Sequence, residues 1–298
     1  MEEERLKKER DVGSVSFRAL KNAAAMVKPG AKLLEIANSA EKFVREQGYE
    51  LAFPINLSAN ERAAHYSPSF DDQSVVGEND VIKVDFGAAK DGILGDCAVT
   101  VDVSSKNQKL VESTEQALQD AIATVRSGVE VAKIGAAIEK SISSYGFKPV
   151  KNLGGHGVEE HDLHADIFIP NYDNGDDTVL EEDMTIAIEP FATDGKGIVT
   201  EEDTCEIYSF VGEGQVRSQQ ARSMLSKIAE HYPSEPFAIR WLADSGTSRF
   251  ALYSAVQELL RSGSIEPHPT LVELGKGMVS QAEAKLLVTK DGCEILTK

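Results

Sequence analysis

Cysteine is scarce in this 298-residue chain, and the three that occur, Cys97, Cys205 and Cys293, are far apart and odd in number. They outline neither a disulfide framework nor a metal knuckle, and they read as reduced residues of a cytoplasmic protein. Long apolar runs are missing too. Nothing approaches the ~18 consecutive apolar residues of a membrane span, and the stretch Met1 to Arg10 has no apolar centre, so no secretory leader is expected. Basic residues are in deficit: 31 Lys and Arg face 49 Asp and Glu, a net charge of −18. A protein that grips a nucleic-acid duplex needs a cationic face, so direct DNA binding is not expected. The acidity reads as a solvated surface and says nothing about fold. With 41% hydrophobic and 27% charged residues the composition is globular rather than disordered. The length suits one large domain or a domain carrying an insertion.

Apolar residues recur at helical spacing from Arg5 to Val27 until Pro29-Gly30 interrupts them, and again from Ala31 to Gln47 until Gly48. The second pattern then returns in constant register 98 residues later. Val125-Arg-Ser-Gly128 answers Val27-Lys-Pro-Gly30, Glu139-Lys140 answers Glu41-Lys42, and Gly146-Phe147 answers Gly48-Tyr49. Two copies imply a duplicated half-domain, not a solenoid. Each half leads through an acidic turn into a strand, Val81–Phe86 and Met184–Glu189, with a carboxylate at or beside its end. Facing halves of this kind would build one central site. The segment from 211 to 268 interrupts the scheme. Helices are expected near Ser218–His231, Pro236–Ala243 and Arg249–Arg261, followed by an extended piece with Pro267 and Pro269. Three helices and a small hairpin suggest a winged-helix-like insertion of mixed charge.

Asp85 and Asp96 flank a hairpin signal around Ala89-Lys-Asp-Gly92. A Lys90-Asp91 loop would pair the two acids directly, and an Asp91-Gly92 loop would make them diagonal neighbours. Both registers put them on one face, because side chains alternate with period two. Ile82, Val84, Phe86, Cys97, Val99 and Val101 would then form a buried opposite face. Two acids beside an apolar layer repel, and a divalent cation removes the conflict. Gly154-Gly-His-Gly157 supplies an imidazole framed by glycines, and Glu189-Pro190 a further carboxylate. One imidazole and several carboxylates without thiolates suit a borderline or hard ion such as Mn, Fe, Co, Ni or Zn, and two such ions could share bridging carboxylates.

Taken in order, Ala52-Phe-Pro-Ile-Asn-Leu-Ser58, Ala63-Ala-His-Tyr66, Val84-Asp-Phe-Gly87, Gly95-Asp96, Gly154-Gly-His-Gly157, Leu163-His-Ala165, Ile188-Glu-Pro-Phe191 and Gln281-Ala-Glu283 resemble the type II methionine aminopeptidases over essentially the whole chain. The archaeal form is the nearer one, since no basic N-terminal extension is present. The resemblance implies an α+β, pseudo-two-fold pita-bread fold over 1–210 and 269–298, with an inserted winged-helix-like helical subdomain over 211–268. It implies a dinuclear-metal aminopeptidase that removes the initiator methionine from nascent polypeptides with a small second residue, a metal-bound hydroxide attacking the scissile carbonyl. Asp85 would chelate one of two divalent ions, His156 and Glu189 would serve the other, and Asp96 and Glu283 would bridge. His65 would help hold substrate near the metals, and His164 would contact the scissile carbonyl. Glu189 would shuttle the proton, while Phe53 and Leu163 would line the methionine pocket. A cytoplasmic monomer with transient ribosome contact is expected.

Two departures touch the neighbours of that site. Ala282-Glu-Ala-Lys285 stands where the family usually has Phe-Glu-His-Thr. Pro267-His-Pro269 stands where it has Pro-Tyr-Pro, so His268 would edge the substrate pocket. His161 and His231 read as exposed polar residues. The rival readings are a proline-specific metallopeptidase of the same fold and a catalytically inactive pita-bread protein binding ribosome or RNA.

Overall fold

The protein is described from a computed structural model that covers residues 1–243 and 248–298. Among these residues the α-helices are α1 (Glu3–Met26), α2 (Leu33–Glu46), α3 (Gln108–Thr124), α4 (Val131–Ser144), α5 (Gln219–His231) and α6 (Arg249–Arg261). None of them is long and apolar enough to cross a membrane.

The sequence repeat is also a repeat of backbone. The bounds of α2 and α4 differ by 98 residues at both ends, and so do the short strands that follow, Glu50–Leu51 and Lys148–Pro149. Gly48 and Gly146 end the two helices in the left-handed region, at φ of 80° and 87°, which favours glycine because it has no Cβ to clash. The amides of Tyr49 and Phe147 then reach back to the carbonyls of Val44 and Ile142. Each half closes with an equivalent isolated bridge, Lys32 to Val75 and Glu130 to Val179.

The two halves share one antiparallel sheet. From one edge to the other its strands are Asp162–Pro170, Gly154–Glu159, Thr185–Ile188, Glu283–Val288, Cys97–Asp102, Val81–Phe86 and Asn56–Ala59, with Cys293–Ile295 added beside Glu283–Val288. The halves meet where Glu283 pairs Ala98 and Ala284 pairs Cys97. On the helix-covered face, Ile82, Val84, Phe86 and Cys97 join Leu20, Ile36 and Val44 in one core. Ile186, Ile188 and Leu286 join Ile134, Ile138 and Leu118 in the second. Each fully buried side chain of this size contributes ~1.5–3 kcal/mol, so the helix face anchors the sheet and leaves the other face for polar work.

The Asp85–Asp96 hairpin takes the second of the two anticipated registers. Ala89 pairs Leu94 and Lys90 pairs Ile93, which leaves Asp91 (φ 50°) and Gly92 (φ 80°) as a two-residue turn with both residues left-handed. Asp85 therefore faces Ala98, and Asp96 is its diagonal neighbour. The corresponding ladder of the second half is far longer. The register set by Ile188 and Ala284 continues through Phe191 with Gln281 and Val199 with Glu273, as far as Glu201 with Leu271. It shifts once and resumes with Ile207 opposite His268 and Phe210 opposite Ile265. The insertion is thus the elaborated tip of a hairpin.

At that tip the strands Phe237–Ala238, Ile207–Phe210 and Ile265–His268 form a three-stranded sheet whose pairing starts at Ile207. The sheet packs on α5 and α6 around Phe237, Ile239, Leu225, Ile228, Val256 and Leu259. The helix expected at Pro236–Ala243 is instead the strand Phe237–Ala238 and one 3-10 turn, Ile239–Leu242. Phe237 and Ala238 pair with Tyr208 and Ile207, and Phe237, Ala238 and Ile239 are all fully buried, so the segment has no solvated face such as a surface helix needs. Arg240 leaves this turn to form a buried ion pair with Glu41 of α2 and to donate to Ser67 Oγ at 2.7 Å. The neighbouring Trp241 Nε1 donates to the same glutamate at 2.8 Å.

Candidate functional site

Five polar side chains converge on the free face of the sheet. Asp85 and Asp96 come from the first-half hairpin, Glu189 from the end of the strand Thr185–Ile188, and Glu283 from the seam between halves. His156 comes from the strand Gly154–Glu159, opposite Ala187. The glycines around His156 answer a close approach of strands: a Cβ on Gly155 would lie 2.2 Å from the Ala187 carbonyl oxygen. His156 Nδ1 lies 3.0 Å from the Gly157 carbonyl, which turns Nε2 toward the acids, 3.6 Å from Asp96 Oδ2 and 3.9 Å from Glu189 Oε1. Ligand atoms of Asp96, His156 and Glu283 all lie within 4.8 Å of one another, a spacing suited to a metal ion.

The electrostatics are those of acids crowded together in a buried place. Burial pushes Asp85 up to about 7. Asp96, Glu189 and Glu283 rise well above the carboxylate range, through burial first and then through mutual repulsion. Among the described residues Asp85 Oδ1 is buried without a hydrogen-bond partner, an arrangement that costs free energy unless a ligand completes it. Burial holds His156 down at about 3, so its imidazole is neutral and free to coordinate. Hard carboxylate oxygens and one neutral imidazole fit a divalent ion.

The acids and His156 line one end of a cavity of about 440 Å³. All the side chains expected at the site line it: Phe53, His65, Asp85, Asp96, His156, Leu163, His164, Glu189, His268 and Glu283. Phe53 and Leu163 form an apolar wall backed by Ala52, Leu94, Val158 and Ala187. The His164 ring lies 4.5 Å from that of His156. It is set among protein atoms yet opens on the cavity, and burial with the neighbouring His268 lowers its pKa. His65, at φ 63°, is brought down to about 4 by burial and the nearby His268 and His164. His268 comes from the hairpin tip, with Nε2 2.7 Å from Ser209 Oγ and its ring 6.2 Å from that of His65. His161 and His231 stay outside and exposed, and His161 Nδ1 lies 2.9 Å from Glu235 Oε1.

Four functional neighbours escaped the sequence reading. Gln281 Nε2 donates to Glu189 Oε2 at 3.3 Å and more weakly to Glu283 Oε2 at 3.5 Å. Lys285 is buried beside the site, Asn56 pairs across the sheet with Asp85, and Ser209 holds His268. The alternation Gln281, Glu283, Lys285 carried a signal, since residues two apart on a strand share a face. Asn56 stood inside the quoted run Ala52–Ser58 with no role assigned to it, and Ser209 carried no signal.

Residues 7–216 match the metallopeptidase family M24. The chain is 40% identical over 298 residues to a methionine aminopeptidase of Methanocaldococcus jannaschii, and 42% identical over the same length to one of Archaeoglobus fulgidus; both matches cover the whole of each chain. Among solved structures, the methionine aminopeptidase of Thermotoga maritima shares the fold at a TM-score of 0.74 and 23% identity, covering 100% of this chain and 98% of that one.

Proposed function

The chain belongs to metallopeptidase family M24 and, within it, to the methionine aminopeptidases, and from that premise we propose a division of labour among the residues of its site. The enzyme is a hydrolase that uses divalent metal to remove N-terminal methionine from nascent polypeptides. One observation carries the assignment of roles. Four carboxylates and a neutral imidazole converge at one end of a cavity with an apolar wall, and among the described residues Asp85 Oδ1 has no hydrogen-bond partner.

Two ions would be held, one by Asp85 and the other by His156 and Glu189, with Asp96 and Glu283 bridging. When bound, they supply Lewis-acid polarisation of the scissile carbonyl and lower the pKa of a water enough for attack at neutral pH. The protein's own groups do the rest. Phe53 and Leu163 take the unbranched thioether side chain, because an apolar wall without a polar partner favours it over charged residues. Neutral His164 donates a hydrogen bond to the carbonyl oxygen as negative charge grows there. Glu189 takes the proton of the attacking water and delivers it to the leaving amine. His65 and His268 border the path of the residues after methionine, and the narrow cleft favours a small second residue. We assign 1–210 and 269–298 to the catalytic fold and 211–268 to the insertion. The substrate, a newly made chain, argues for a cytoplasmic monomer that visits the ribosome transiently.

The test is release of methionine from a Met-Ala-Ser peptide by metal-stripped protein, with Mn, Fe or Co returned singly, beside Glu283→Ala. Metal-dependent release that the variant loses supports the roles. Release without any metal, or an unimpaired variant, refutes them.

A further inference from the structure

Lys285 lies two residues beyond Glu283 on one strand, hence on the same face of the sheet. Beyond the pair Ala284–Cys97 the neighbouring strand leaves through Asp96, Gly95 and Leu94, and the lysine side chain fills the fork. Its ammonium donates to the Leu94 carbonyl at 2.6 Å and to Glu9 Oε2 of α1 at 2.7 Å. Both charged side chains are only 2% exposed. Three stretches distant in sequence are thereby tied together: the first helix, the turn that ends in Asp96, and the strand that opens with Glu283.

A buried ion pair seldom repays its desolvation as a stability device, and apolar residues of equal volume often do as well. Its position offers a better reason. Four carboxylates and two dications would come close to neutrality. A bare ammonium beside Asp96 would compete with a metal ion for that carboxylate. Neutralised by Glu9 and engaged by the Leu94 carbonyl, the same ammonium can brace the Asp96 turn without taking its ligand.

We propose that Lys285 and Glu9 are positioning residues of the metal centre: Lys285 sets the Asp96 turn against the Glu283 strand, and Glu9 keeps the ammonium off Asp96. The inference rests on the assignment of Asp96 and Glu283 as metal ligands. Partners of this kind, outside the ligand set, typically change metal affinity by about 10–100-fold when removed.

The experiment is calorimetric titration of Mn²⁺ into metal-stripped wild type, Lys285→Met, Glu9→Gln and the double variant, with a thermal melt of each metal-free protein. Lys285→Met should weaken the tighter binding event at least about tenfold. Glu9→Gln should weaken it further, because the released ammonium turns to Asp96. The double variant should return to the level of Lys285→Met, a rescue that lost packing alone would not produce. If a single variant melts below the assay temperature, the double variant against wild type decides: a tenfold loss supports the proposal and equal affinity overturns it. Affinities within twofold of wild type in folded variants also overturn it. A wild type that takes up no Mn²⁺ would remove the ligand assignment and this inference together, whereas normal uptake with unaffected variants removes this inference alone.

Discussion

In the first half of the sheet the strands bearing Asp85 and Asp96 are closed by a two-residue turn, Asp91-Gly92. In the second half the strands bearing Glu189 and Glu283 are separated by everything from Pro190 to Ala282, yet Ile188 still faces Ala284 and Phe191 still faces Gln281. An antiparallel ladder places a pair of acids in each half, diagonal in the first, where Asp85 faces Ala98, and directly opposed in the second, where the register of Ile188 with Ala284 and Phe191 with Gln281 sets Glu189 against Glu283. A hairpin's register is specified along its length by the alternation of buried and polar residues, so the tip is free to change. In the second half the tip has become a small body with its own core, and it returns Ile207, Pro236 and His268 to the substrate cavity. The acid-bearing base is common to both halves, and the wall formed by Ile207, Pro236 and His268 is an addition of the second.

Removing a ligand from either half should have the largest effect. Asp96→Ala and Glu283→Ala should each lower methionine release at least about 100-fold, the upper range for loss of even an outer partner. A peptide assay in which one variant keeps a tenth of the wild-type rate would break the equivalence of the halves.

Next in size is the tie between the second-half tip and the first half. Arg240→Met leaves Glu41 buried without its cation, which should lower stability by roughly 3–5 kcal/mol. The single tryptophan, Trp241, packs at this contact, so its fluorescence during urea unfolding reports it. An unchanged midpoint would mean that the tip stands independently of α2.

The pH dependence of metal affinity is more graded. Below about 7 Asp85 holds a proton in the metal-free protein, so metal must displace it. Affinity should climb with pH by about tenfold per unit for each proton displaced, Asp85 ceasing to contribute as pH passes about 7 and the raised Asp96, Glu189 and Glu283 contributing wherever they still hold protons. His156 at about 3 and His65 at about 4 are already neutral and release nothing in this window. For stability without metal, the raised Asp85 contribution is present at low pH and lost as pH rises from about 4 to about 7. The two histidines act oppositely, losing theirs as pH falls from the unfolded value near 6.5 to about 4 for His65 and about 3 for His156. Titration in buffers of different ionisation enthalpy counts the protons, and an affinity constant from pH 6 to 8 would contradict the reading.

The smallest effect is expected at the tip's own wall. Ser209→Ala frees the His268 ring from one hydrogen bond worth ~1 kcal/mol, about fivefold in KM with kcat little changed. A larger change in kcat than in KM would place His268 closer to the reacting atoms than a specificity wall.

Much of this was legible beforehand because it depends on short-range chemistry. The 98-residue repeat, the acids on one face of a hairpin and the glycine frame of His156 are all patterns of period or spacing. The hairpin register was left between two alternatives, since Lys90-Asp91 and Asp91-Gly92 both suit a tight turn until strand pairing chooses. The second of the three helices expected in the insertion failed for a related reason. Pro236–Ala243 is too short for its period to be read, and pairing of Phe237–Ala238 with Ile207 and Tyr208 decided for an extended chain that ends in a 3-10 turn.

The order of residues was enough to name the ligand-type side chains and the duplicated plan, because alternation, caps and turns act over a few neighbours. The pairing of Lys285 with Glu9, the seating of His268 by Ser209 and the contact of Arg240 with Glu41 each join residues remote along the chain. No local preference encodes such pairs. They exist because folding removes these groups from water and leaves each buried charge or polar atom with whichever partner the packed helices and strands bring within reach.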